Sequence, residues 1–111
     1  MYEKNLNIGY LLDFYGDVLS ERKRNVLDMY YNEDFSLAEI SEEIGISRQG
    51  VRDIIKKAEE ELCFFESKLG LSKKMTDLAQ TTDSLLAVAI KAGAPAIVCE
   101  GIADLRKQIE Q

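Results

Sequence analysis

The strongest constraint on how this 111-residue chain can fold is a set of spacings around one glycine. Ile40 and Ile44 precede Gly45, Ile46, Val51 and Ile54 follow it, and small Ser41 stands four residues before it. Two helices crossing through a tight turn at roughly 90–120° need this layout. A small residue lets the helices approach, glycine supplies a left-handed turn conformation at little cost, and apolar residues on both sides lock the angle. The flanking residues agree. Ser36-Leu37-Ala38-Glu39 has the form of a capping box, which predicts a short helix from Leu37 to about Ile44. Ser47 is placed to cap a second helix starting at Arg48. Plain helical hairpins also show apolar residues at such spacings. The capping box, Gly45, Ser41 and a local change of charge together favour a helix-turn-helix.

That geometry turns Arg48, Gln49, Arg52, Asp53 and Lys56 outward on the second helix. In a helix-turn-helix the N-terminal residues of the second helix meet base edges in the major groove. Arg48 can form a bidentate pair with guanine and Gln49 with adenine. Ser47 and the free N–H groups of the helix start suit a phosphate oxygen. Gly50 removes a side chain at the tip and so admits a close approach of the backbone. Arg52, Lys56 and Lys57 are placed for phosphates, and Arg22, Lys23 and Arg24 form a second basic run that either reaches the flanking backbone or is a solvated face. Glu59-Glu60-Glu61 reads as a solvated face that would repel a polyanion from the distal part of the same helix. Phe14, Tyr15, Tyr30, Tyr31 and Phe35 read as core aromatics, not as a base-stacking array.

The rest of the chain is patterned as helix. Ile8, Leu11, Leu12, Tyr15 and Leu19 mark one stripe over residues 4–19, Ser20 can cap a helix that buries Val26, Leu27, Tyr30 and Tyr31, and Asn32-Glu33-Asp34 reads as a loop. After Ser47 no stop signal appears before Gly70. Val51, Ile55, Ala58, Leu62, Phe65 and Leu69 repeat at heptad-like spacing, as do Leu71, Met75, Leu78, Thr82, Leu85 and Ala89 beyond the glycine. The two stripes predict an antiparallel pair about Gly70 or a surface for a partner helix. Gly93-Ala94-Pro95 breaks the pattern, and Val98, Ile102, Leu105 and Ile109 mark a last amphipathic helix. The expected architecture is all-α: a helix-turn-helix bundle with a long recognition helix over residues 1–70, and a C-terminal helical extension over residues 71–111 that is a candidate for dimerisation.

Composition narrows the function. The net charge is −6, which argues against a non-specific phosphate sponge. Within residues 47–57, however, Arg48, Arg52, Lys56 and Lys57 stand against Asp53 alone. Cys63 and Cys99, with no histidine in the chain, cannot close a four-ligand zinc site, and no metal or other cofactor is expected. Both cysteines read as reduced thiols of a cytoplasmic protein. The N-terminus shows no apolar targeting segment, and Leu85 to Val98, the most apolar stretch, falls short of the ~20 residues of a membrane span. No phosphate-cradling glycine motif and no nucleophile–base spacing points to an enzyme.

Tyr10-Leu11-Leu12-Asp13-Phe14-Tyr15, Met29-Tyr30-Tyr31, Asp34-Phe35-Ser36-Leu37-Ala38-Glu39-Ile40 and Ser47-Arg48-Gln49-Gly50-Val51 closely resemble the YlxM-like family of small bacterial proteins, over about residues 5–70. That family carries a helix-turn-helix similar to region 4 of sigma factors and is encoded beside the GTPase of the signal recognition particle. The resemblance implies DNA binding through Ser47, Arg48, Gln49 and Arg52. It also implies, by association, a link to signal recognition particle components. Two readings stay open: a DNA-binding regulator acting as a homodimer, from the spacings about Gly45 and the basic start of the second helix, and an adaptor for protein or RNA in that pathway, from the overall acidity and the association. Gly50 and Arg52 depart from the family pattern, which has alanine and an aromatic there, and nothing is carried over to residues 71–111.

Overall fold

Serine caps set where the helices begin, and glycines where two of them end. In the computed structural model, which describes residues 6–110, the hydroxyls of Ser20, Ser36 and Ser47 accept from the backbone N–H groups of Lys23, Glu39 and Gly50 at 3.3, 3.0 and 3.0 Å. Six α-helices follow in order among the described residues: α1 Leu6–Tyr15, α2 Glu21–Leu27, α3 Leu37–Ile44, α4 Arg48–Leu69, α5 Leu71–Lys91 and α6 Ala96–Glu110. No strand occurs among them. The chain divides into two compact units, Met1–Gly70 and Leu71–Gln111.

In the first unit the stripe expected over residues 4–19 is not one helix, and residues 4 and 5 lie outside the described residues. After α1 the chain tightens into a 3-10 turn, Gly16–Val18. Gly16 is buried there, and a Cβ on it would come within 3.3 Å of Leu12 Cδ1. The loop expected at Asn32 starts later. α2 runs on into a wide π turn, Asp28–Asn32, closed by the Glu33 N–H on the Asp28 carbonyl at 2.9 Å. A π turn adds one residue to the helical repeat. Here consecutive Tyr30 and Tyr31 sit buried and half-buried, with ring centroids 5.2 Å apart edge to face. Asp34 then takes a left-handed φ of 59°, which a short polar side chain tolerates.

α1, α2 and α3 all pack on α4. Ile8, Leu11, Leu12 and Tyr15 of α1, Val26, Leu27 and Tyr30 of the second helix, Ile40 of α3, and Val51, Ile55, Ala58 and Leu62 of α4 form one buried cluster with Leu19. Burying a leucine, isoleucine or valine side chain contributes about 1.5–3 kcal/mol, so this cluster is the main source of the unit's stability. Polar ties run beside it. Tyr15 donates its hydroxyl to Glu66 at 2.6 Å, Tyr31 donates to Glu59, and Lys23 pairs with Glu61. Two members of the Glu59–Glu61 run are therefore half-buried fasteners to the second helix, and only Glu60 lies on an open face. The core aromatics divide as well: Tyr15 and Tyr30 are buried, Tyr31 and Phe35 half-buried, and Phe14 is exposed.

The second unit is an antiparallel hairpin: α5 finds its partner in α6 across residues 92–95. Gly93 has a φ of 74°, and Arg106 Nε donates to Asp83 at 2.8 Å. The face of α5 withdrawn from solvent is Ser72, Met75, Ala79, Thr82, Leu86 and Ala89. This corrects the expected stripe, of which Met75, Thr82 and Ala89 remain while Leu71, Leu78 and Leu85 are exposed at 45, 41 and 50%. Likewise Cys99, Ile102, Ala103, Arg106 and Ile109 are the half-buried positions of α6, and Val98 and Leu105 face out. Small side chains at Ser72, Ala79 and Ala89 suit a close helix–helix seam that leucines would hold apart. Among the described residues no helix is long and apolar enough to cross a membrane.

Candidate nucleic-acid interface

The turn between α3 and α4 is fixed at each residue from Ser41 to Ser47. The capping box is complete: Ser36 accepts from the Glu39 N–H, and the Glu39 carboxylate accepts from the Ser36 N–H at 2.9 Å. That bond, and the serine hydroxyl after it, hold the Glu39 carboxyl below the usual glutamate value of 4.5. Gly45 ends α3 with a φ of 73°, and its N–H returns to the Ser41 carbonyl at 2.9 Å. The Ser41 hydroxyl donates across the turn to the Ile46 carbonyl. Sequence reasoning valued Ser41 for its size and missed this bond. Ile40, Val51 and Ile55 are fully buried, and Ile44, Ile46 and Ile54 pack half-buried against them. With those positions inside, the outer face of α4 has no freedom of choice.

Ser47, Arg48, Gln49, Arg52, Asp53, Lys56 and Lys57 are all exposed, as the spacing required. Gln49 Nε2 donates to Asp53 Oδ1 at 3.0 Å. Its nitrogen keeps a second amide hydrogen, its oxygen accepts from no described residue, and the bond to Asp53 orients the side chain. The side chains of Arg48, Arg52, Lys56 and Lys57 make no ion pair or hydrogen bond among the described residues. Gly50 is half-buried, not presented at the tip: a Cβ there would meet Ile46 Cδ1 at 3.2 Å and Ser47 Oγ at 3.3 Å. The glycine leaves room for the cap and for Ile46. In the second basic run Lys23 is held by Glu61 and Arg24 Nη1 by Asp17 Oδ1 at 3.0 Å, which leaves Arg22 exposed and with no partner among the described residues. Arg22 borders an open hollow of about 550 Å³ with Glu21, Asn25, Val26, Met29, Glu43 and Ile44, next to the end of α3.

α4 carries no acidic residue in its first turn. A helix N-terminus bears roughly half a positive charge, and acids normally complement it. Here Arg48 occupies that turn. Its charge opposes the helix dipole there, the reverse of the usual complement.

A short capped helix, a left-handed glycine and a crossing helix with a solvent-facing cationic start define a helix-turn-helix protein. The comparisons give the particular family. The family model described as "Putative helix-turn-helix protein, YlxM / p13 like" matches residues 2–94, and the chain belongs to that family. The match extends past Gly70 and takes in α5. Curated relatives include a UPF0122 protein of Clostridium kluyveri, 43% identical over 84 residues that cover 76% of each chain. A UPF0122 protein of Clostridium perfringens is 42% identical over 85 residues, 77% of this chain and 76% of its own. One from a Thermoanaerobacter species is 49% identical over 75 residues, 68% of this chain and 64% of its own.

Proposed function

We propose that the chain is a DNA-binding regulatory protein of the cytoplasm that presents the first turns of α4 to the major groove. Arg48 and Gln49 read base edges. The Ser47 hydroxyl keeps its hydrogen free for a phosphate while its oxygen caps the helix. Arg52, Lys56 and Lys57 contact the backbone, with Arg22 beside them. Arg24, and Lys23 more firmly, serve the fold through Asp17 and Glu61. One observation carries the reading. In a chain with 20 acidic and 14 basic side chains, the four cations of residues 48–57 are all exposed and pair with no carboxylate among the described residues. A cluster of exposed cations on one face of a helix is the electrostatic footprint of a surface that meets a polyanion.

The test is selection by the purified protein from random duplex DNA and random RNA pools at stated salt, beside capture of signal recognition particle GTPase and RNA. A duplex motif that Arg48→Ala and Gln49→Ala degrade at single base positions supports the proposal. The net charge of −6 favours the other reading, an adaptor for RNA or protein. Enrichment of particle components with no duplex motif would establish that reading instead.

A further inference from the structure

The hairpin of α5 and α6 has one uncovered apolar side, and helix geometry shows that it is continuous. The inner seam of α5 follows a 3-4-3-4 spacing through Ser72, Met75, Ala79, Thr82, Leu86 and Ala89, and that of α6 runs through Cys99, Ile102, Arg106 and Ile109. The exposed leucines and valines repeat at the same spacing one residue earlier on both helices: Leu78, Leu85 and Val88 on α5, Val98 and Leu105 on α6. One residue earlier is a rotation of about −100° about each helix axis. The helices run in opposite directions, so the two rotations carry both stripes to the same side of the hairpin. The opposite side, one residue later, presents Lys73, Gln80, Asp83, Glu100 and Lys107 with a single large apolar residue, Ile90, near the end of α5, a mainly polar surface.

We infer that this apolar side is the interface with a second copy of the chain, hairpin laid on hairpin as a four-helix bundle. Three observations select that occupant. The first is size. The stripe from Leu78 to Val88 with its flanking turns, beside Val98 to Leu105, makes a strip two helices wide. At about 1.5 Å per residue and 8–10 Å per helix this is on the order of 500 Å² per copy. Two such faces reach roughly the 1,000 Å² at which specific interfaces begin, and a single partner helix would cover only half the width. The second is chemistry. The stripes hold one charge, Lys74, and otherwise only neutral positions such as Thr81, Gly101 and Gln108, so the face is self-complementary and offers nothing to a charged ligand. The third is the unit itself. Among the described residues of this unit only Ser72, Thr82 and Ala89 are buried, and units of about 40 residues with so little core usually need a disulfide, a metal or oligomerisation to complete them. The inference is independent of whether α4 binds DNA.

Analytical ultracentrifugation of the full chain tests it, with thermal unfolding followed across protein concentration. Wild type and Gln80→Lys, which alters the polar side, are expected to sediment as dimers with a melting temperature that rises with concentration. Leu78→Lys with Leu85→Lys is expected to sediment as a monomer whose melting temperature no longer depends on concentration. Should that double variant lose its hairpin, Leu105→Ala is expected to weaken dimerisation at least tenfold while keeping the helical circular dichroism. A wild-type monomer at about 100 μM would overturn the inference and leave the face to another partner, as would a double variant that remains dimeric.

Discussion

Replacing Gly45 by alanine isolates the energetics of the turn on which the interface depends. Gly45 sits at φ 73°, ψ 32°, and a Cβ added there would have no atom within 4 Å. The cost is therefore conformational and not steric. Holding an L-residue in the left-handed region costs roughly 1–2 kcal/mol. Removing glycine from the unfolded chain returns about 0.4–1 kcal/mol through lost entropy. The expected net loss is on the order of 1 kcal/mol, which for a domain of this size lowers the melting temperature by about 4–8 °C. Gly45→Asn tolerates the same conformation better and is expected to fall between wild type and Gly45→Ala. Urea unfolding at neutral pH, monitored by circular dichroism, measures all three. If Gly45→Ala unfolds at the wild-type midpoint, or if asparagine is no better than alanine, the left-handed turn is not what joins α3 to α4.

Two further substitutions examine the parts around that turn. Gly50→Ala gains up to ~1 kcal/mol of helix propensity and crowds only the flexible end of Ile46 and the Ser47 hydroxyl, so a small net stabilisation is expected in the same unfolding assay. The lowered Glu39 value means that its capping contribution is complete above the ordinary pH of 4.5 and is lost as pH falls through the lower folded value. The protection of the Ser36 amide against exchange, taken relative to the intrinsic rate at each pH, is therefore expected to fall below that pH in wild type, and this step is expected to vanish in Glu39→Gln, which caps without titrating.

The first unit was largely legible because its signals are local and redundant. Ser36 with Glu39, Gly45, and Ser47 each specify a backbone conformation through their own chemistry. The buried isoleucines at 40 and 55 and Val51 then leave one face for Arg48 and Gln49. Pairing between distant charges was not legible. That Lys23 meets Glu61 and Arg24 meets Asp17 depends on how α2 crosses α4, and no spacing encodes it. Gly50 was misread for a related reason: its neighbours Ile46 and Ser47 close over it only once the turn is made. In α5 two adjacent stripes share one repeat, and the expected stripe took Leu71, Leu78 and Leu85 from one and Met75, Thr82 and Ala89 from the other. The seam took the stripe of small residues because close packing of two backbones needs small side chains, which hydrophobicity alone does not rank.

The salt dependence of binding to a selected duplex tests the central claim most directly, because it counts the cations that meet phosphates. With Arg22, Arg52, Lys56 and Lys57 engaged, the logarithm of the binding constant should fall with the logarithm of salt with a slope of about −3 to −4 per chain. Lys57→Ala should make that slope shallower by about 1, while Lys23→Ala, whose ammonium already belongs to Glu61, should leave it unchanged. A flat salt response, or a slope that Lys57→Ala leaves unaltered, would contradict the placement of α4 on DNA.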